Sequence, residues 1–176
     1  MRSRSTYLAV SLILLAVVIR IVGTRLGWFP LNFSTIGAMT LFAGAMLRPR
    51  WMGISVAAVG LLASDLVLRH NPQWLSVYLP YILIAVAAHS LQPGKSVTRF
   101  ALATLSASLI FFVVSNFGVW ATGPEMYERS FAGLATCYVQ AIPFFRNTLA
   151  GNAFFGVVLF GSFVLLENRI PALAEA

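Results

Sequence analysis

Charged side chains are what this sequence lacks most. Only 10% of its 176 residues are charged, while 59% are hydrophobic. A soluble domain carries roughly 25% charged residues, because its surface has to face water. The solvent that accepts so much apolar surface is a lipid bilayer. The composition therefore predicts one integral membrane domain over residues 1–176 and excludes a sizeable soluble domain.

Cysteine and paired acidic residues are also scarce. The single cysteine, Cys137, excludes an intramolecular disulfide and any multi-cysteine metal site. Glu125 and Glu128 share a polar loop, which is typical of a solvated charge cluster. The sequence has no His/Glu metal-binding spacing, no Gly-Xaa-Ser-Xaa-Gly motif and no phosphate-binding loop. We therefore expect no enzyme activity, no bound metal and no cofactor. Cys137 is expected to be a small buried side chain, and the less favoured alternative is a thiolate ligand for a metal-containing substrate.

The positive charges have a distribution that argues against nucleic acid. The formal net charge is +7, but the twelve lysines and arginines stand in ones and twos between apolar runs. A nucleic-acid surface would gather them into a patch or a stripe. Isolated basic residues beside apolar runs instead favour a protein that is anchored in a bilayer by its loops.

The apolar runs predict six transmembrane helices plus a short helix in the loop before the last one. Residues 7–22 are predicted to form a first helix that is retained and not cleaved off as a signal peptide, because this run is long, contains Arg20 and lacks a small-residue cleavage site. Pro143 is expected to end the short helix, which resembles a re-entrant or interfacial piece. The remaining predicted helices are 34–47, 51–68, 76–91, 97–121 and 148–167, and the short helix is 131–142.

Small residues recur on two of these helices. One row is Gly37, Thr40 and Gly44, and a second is Ala57, Gly60 and Ser64. Small faces allow helix backbones to approach closely in lipid. We expect these rows to pack inside the protein, although a partner subunit is an alternative use.

Loop charges predict the orientation. With six spans, the positive-inside tendency places both termini in the cytoplasm of a bacterial inner membrane. The basic residues of the cytoplasmic segments would be Arg2, Arg4, Arg48, Arg50, Lys95, Arg99 and Arg169, against Arg25, Arg69, Arg129 and Arg146 outside.

Costly polar residues are concentrated toward the predicted outer ends of the helices. Arg20, Asp65 and Asn116 each lie near the end of an outward-running helix. A charge facing hydrocarbon costs several kcal/mol, so Arg20 and Asp65 are expected to face the interior as an ion pair. The pair has either a structural role or a ligand-binding one.

These considerations define a candidate substrate-binding site on the outer side. The amides there can bind a ligand or a neighbouring helix, and tryptophans in this position can line a pocket or form an interfacial belt. The candidate residues are Asn32, Asp65, Trp74, Asn116, Trp120, Arg146, Asn147 and Asn152.

Four strings resemble a bacterial family of uncharacterised membrane proteins to which a transport role is ascribed. They are NFSTIGAM at 32–39, SDL at 64–66, SNFGVW at 115–120, and 133–147, which begins GLATCY and ends IPFFRN. That family in turn resembles the substrate-binding S components of energy-coupling-factor (ECF) vitamin transporters in size, helix number and orientation.

The resemblance implies an S-component-like bundle that binds a vitamin-like micronutrient from outside. It also implies a transmembrane coupling subunit with ATPases as a partner. We therefore expect a substrate-binding subunit or small transporter, with the substrate's identity open. The alternative is a structural or assembly subunit whose polar residues only hold helices together.

Overall fold

The computed structural model describes residues 3–70, 73–93, 96–123 and 125–169. Within these ranges the chain forms six α-helices and no strand, which confirms the predicted all-α class. The helices are α1 (Ser3–Arg25), α2 (Ile36–Met46), α3 (Arg50–Leu68), α4 (Leu79–Leu91), α5 (Val97–Thr122) and α6 (Phe131–Arg169). A π-helical turn, Trp74–Tyr78, leads directly into α4.

Five of the helical segments are long and apolar enough to cross a membrane. The exception among the described helices is α2, whose 11 residues span only about 16 Å at 1.5 Å per residue. A hydrocarbon core is about 30 Å thick, so α2 does not cross it unaided. Every residue from Ile36 to Gly44 is buried. Of the six predicted transmembrane helices, five are thus long enough to cross a membrane, and α2 is a short central helix enclosed by the longer ones.

The predicted short helix and the predicted last helix are one continuous element. The expectation that Pro143 ends a helix is wrong, since α6 runs through it for 39 residues. Proline removes one helical hydrogen bond, but neighbouring helices can compensate in membrane proteins. The ring of Phe112 contacts Tyr138 before the proline, at 5.5 Å, and Phe145 after it, at 5.2 Å. Packing against α5 thus holds both halves of α6 in line.

The small-residue rows lie inside the bundle, as expected. A Cβ on Gly44 would collide with the carbonyl oxygen of Ala85 on α4. A Cβ on Gly53 would lie 2.6 Å from the carbonyl oxygen of Ala43 on α2. These glycines are therefore needed where α2 crosses α4 and α3 in direct backbone contact.

Two long-range contacts define the ends of the bundle. The Ser5 hydroxyl donates to Glu167 at 2.8 Å, so α1 begins where α6 ends. At the opposite end Arg20 pairs with Asp65, so α1 and α3 end side by side. We call this second end the Arg20 end. Arg2 and Lys95, which entered the orientation prediction, lie outside the described residues.

Candidate functional site

A buried charged cluster lies at the Arg20 end. One guanidinium nitrogen of Arg20, Nη2, lies 2.7 Å from Asp65 Oδ1, and the other, Nη1, donates to the Ser64 hydroxyl. The Tyr78 hydroxyl donates to Asp65 Oδ2 at 3.0 Å. The two charged side chains are 10% and 6% exposed. The ion pair predicted from the sequence is therefore present, and both oxygens of Asp65 are hydrogen-bonded.

His70 is placed beside this cluster by the end of α3. Arg69 adopts a left-handed conformation with φ 58°, which caps the helix and turns the chain back. As a result the His70 amide donates to the carbonyl oxygen of Asp65 at 2.9 Å. Its Nδ1 lies 3.6 Å from Asp65 Oδ1, and the side chain is about half exposed. His70 is therefore an accessible polar group next to a buried pair.

Arg20 and His70 both line a cavity of about 360 Å³, which we call the Arg20 cavity. This volume falls in the lower part of the range of small-molecule sites, about 300–1,000 Å³. The remaining polar lining comes from Thr24, Asn32, Ser34 and Thr148, and its aromatic walls are Phe29, Phe33, Tyr81 and Phe111. The cavity thus combines apolar walls with a few converging polar groups.

A second compartment of about 180 Å³ adjoins the Arg20 cavity. Both are lined by Asn32, Val77, Phe111 and Thr148. We call it the Asn116 compartment, because Asn116 lies in its wall. A solute in the Arg20 cavity would therefore have a narrower polar extension toward α5 and α6.

Three predicted site residues contribute to these spaces in different ways. Asn32 lines both, in a left-handed conformation with φ 64°. Asn116 lines its compartment, while its Nδ2 donates to the Phe112 carbonyl oxygen at 2.7 Å, within α5. Asp65 lines neither, and acts behind Arg20 by pairing with it.

Three others lie outside both spaces. The Trp120 indole donates to the Glu128 carbonyl oxygen at 3.0 Å, so it holds the 125–130 segment. Trp74 is 65% exposed, and its ring is centred 4.6 Å from that of Tyr78. Arg146 is exposed on α6. The structure does not bring these side chains together with the cavity-lining residues.

The last two predicted residues hold segments together. Asn147 Nδ2 donates to the Leu31 carbonyl oxygen at 2.9 Å, which fixes the 26–35 segment that walls the Arg20 cavity. Asn152 is 3% exposed, and its Nδ2 donates to the Ser108 hydroxyl at 2.9 Å. Its amide also lies against Gly37. The contacts of Asn152 therefore match the helix-to-helix alternative.

Sequence reasoning missed Tyr78, His70 and Thr148. Tyr78 had a usable signal, because a buried carboxylate needs more than one donor and a hydroxyl at a neighbouring helix start can supply the second. His70 and Thr148 had none, since neither spacing nor periodicity links their positions to Arg20.

Another recess, of about 790 Å³, lies at the opposite end of the bundle. It is bounded mostly by apolar side chains of α5 and α6, such as Phe100, Val157 and Val164. In a multi-pass protein such a flank contacts acyl chains or another helix. The Arg20 cavity is the better candidate site, because several polar groups converge on it, including the buried Arg20 and Thr148.

The fold and this cluster define a class: an all-α protein with five helices long and apolar enough to cross a membrane, which indicates a multi-pass membrane protein. The chain belongs to a family of unknown function, DUF6580, which it matches over residues 2–173. No curated protein and no solved structure matches it. These comparisons therefore give no link between the family and the S components.

Proposed function

We propose that this protein binds a small solute in the Arg20 cavity and serves its uptake across the membrane. The observation that carries the proposal is a cavity of about 360 Å³ with aromatic walls and several polar groups, of which Arg20 and Thr148 are buried, in a largely apolar bundle. Polar side chains within membrane helices are costly, and they commonly mark a substrate pathway. A vitamin-like micronutrient is a solute class of suitable size.

We propose that the Arg20 end faces the extracytoplasmic side of a bacterial inner membrane. The basic residues Arg48, Arg50, Arg99 and Arg169 lie toward the opposite end, where Ser5 contacts Glu167. The positive-inside tendency, with seven basic residues against four in the sequence, supports a cytoplasmic location for both termini. A transmembrane coupling subunit with ATPases, as S components use, is the proposed source of energy.

A structural or assembly role is the competing proposal. It is favoured by the contacts of Asn147 and Asn152, which bind protein groups rather than line a cavity wall. It does not account for the cavity beside Arg20, which a purely structural bundle would be expected to fill.

Mass spectrometry of solutes released from the purified protein tests the proposal. Thr148→Phe, in the wall shared by both spaces, should reduce the retained solute about tenfold or more by occupying its volume. Val139→Phe is the matched control, because Val139 is exposed on α6 and lines neither space. Size-exclusion profiles and melting temperatures verify that both variants fold. Absence of any specifically retained solute, or equal retention in both variants, would support the structural role instead.

A further inference from the structure

We infer that the solute recognised in the Arg20 cavity is a small acid, with a carboxylate or phosphate group bound by Arg20 and His70 and a ring held by the aromatic walls. This inference rests on the proposed function and specifies its substrate class. Three observations support it: the arginines around the cavity mouth, the hydrogen bonds that Asp65 already accepts, and the aromatic side chains that line the cavity.

A basic vestibule precedes the cavity. It is an open recess of about 520 Å³ lined by Thr24, Arg25, Leu68, Arg69 and His70. Thr24 and His70 also line the Arg20 cavity, so the two spaces adjoin. Arg25 Nη2 donates to the Val67 carbonyl oxygen at 2.7 Å, which holds that side chain at the vestibule, and the backbone of Arg69 caps α3.

The charges along this route have one sign. Among the residues that the structure describes, three arginines and no carboxylate line the vestibule and the cavity. The nearest acid, Asp65, already accepts hydrogen bonds from Arg20 and Tyr78, so it offers little attraction to a cation. A mouth lined by charges of one sign raises the local concentration of oppositely charged solutes. The route therefore favours anions.

Arg20 and His70 can both donate hydrogen bonds to a carboxylate or phosphate oxygen in the cavity. Arg20 has five N–H donors, and the contacts with Asp65 and Ser64 use only part of this set. Asp65 and Ser64 also hold the guanidinium in one place, which reduces the ordering cost of binding. Neutral imidazole can donate as well, so His70 supplies a second donor at the cavity wall.

The walls select the rest of the molecule. Phe29, Phe33, Tyr81 and Phe111 line the cavity, and aromatic rings pack on planar rings with centroids about 4.5–7 Å apart. A compact aromatic acid satisfies both the charge and the walls. A large cofactor does not fit a volume of about 360 Å³.

The test compares acids with neutral analogues of the same shape. Benzoate, phenyl phosphate and benzamide are added to the full-length protein in phosphatidylcholine nanodiscs, and the melting temperature is followed by tryptophan fluorescence. We expect at least one acid to raise it and to bind about tenfold or more tightly than benzamide, because a hydrogen bond to a charged group is stronger than one to a neutral group. Equal effects of acid and amide, or no effect of any probe, would overturn the inference.

Variants then locate the effect. Arg20→Gln combined with Asp65→Asn keeps a hydrogen-bonded neutral pair, so it protects folding while removing the guanidinium. It should weaken acid binding about tenfold or more. Arg69→Gln should weaken it less and reduce its salt dependence, because it acts at the mouth. Arg146→Gln is the control, since Arg146 lies outside the cavity and the vestibule. An unchanged affinity in the double variant would contradict the assignment to Arg20.

A lipid headgroup could supply the same chemistry, and a separate arm distinguishes it. Phosphatidylglycerol is added to the nanodiscs in place of the soluble acids. If it stabilises the wild type, fails with the double variant and prevents benzoate binding, the acid site stands but solute uptake fails. If a retained natural solute is neutral or cationic, uptake stands and the acid inference fails.

Discussion

Removing the Asp65 carboxylate should destabilise this protein more than any other loss of a single polar group at the Arg20 end. Asp65→Ala leaves Arg20 without its counter-charge and Tyr78 without its acceptor, and both charged side chains are at most 10% exposed. Breaking a buried ion pair by removing one partner costs about 3–5 kcal/mol. An unsatisfied buried donor costs about 1–3 kcal/mol, although the two penalties overlap. We expect a total loss of about 4 kcal/mol.

The magnitude distinguishes this pair from ordinary polar contacts. Hydrogen bonds between membrane helices contribute about 0.6 kcal/mol on average. Equilibrium unfolding in mixed micelles, followed by tryptophan fluorescence and circular dichroism, measures the difference. Glu128→Ala is the matched control, because this carboxylate is exposed and its removal should change stability by less than about 0.5 kcal/mol.

A double-mutant cycle isolates the pair itself. Arg20→Gln and Asp65→Asn should each be costly alone, while the combination should cost much less than their sum. A coupling energy of about 2 kcal/mol or more fits two charges in direct contact at 2.7 Å. Additivity within about 0.5 kcal/mol would refute the reasoning, because it would mean that Arg20 and Asp65 are stabilised separately.

Three further predictions concern packing and accessibility. Gly44→Ala should lower the free energy of unfolding by about 1–3 kcal/mol, because the added methyl group would collide with the α4 backbone. Gly161→Ala has open space around it, so it should raise the free energy of unfolding by about 0.5–1 kcal/mol in the same assay. Asn147→Ala should speed amide hydrogen exchange in the 26–35 segment, because Leu31 loses its donor; unchanged exchange would show that this bond does not hold the segment. Cys137 is 1% exposed and should react with maleimides only after unfolding, so rapid labelling of the native protein would contradict its burial.

Most helices could be predicted from the sequence, because a helix in lipid requires a long apolar run and the connections between helices contain polar or charged residues. It misplaced the boundary at Pro143, since the packing of Phe112 against both halves of α6 is a tertiary contact that local propensity does not contain. It also treated α2 as a span, because hydropathy cannot distinguish a short core helix from a membrane crossing.

The charged part of the candidate site could be predicted from the sequence. The cost of unpaired charge in an apolar bundle is enough to bring Arg20 and Asp65 together. Amides and tryptophans carry a smaller penalty, which a hydrogen bond to a nearby backbone carbonyl can offset, so their side of the helix and their partners depend on packing. Trp120 and Asn152 therefore proved to contact the protein itself, while His70 reached the cavity through a turn that the sequence alone does not reveal.

The most direct test of the account is the side of the membrane on which the Arg20 cavity opens. Leu31 lines the cavity and is 74% exposed, so Leu31→Cys in a Cys137→Ser background provides a single reactive thiol. In right-side-out membrane vesicles, a membrane-impermeant maleimide should label it without permeabilisation, and the retained solute should slow the reaction. Labelling that requires opening the vesicles would place the cavity on the cytoplasmic side and contradict uptake from outside.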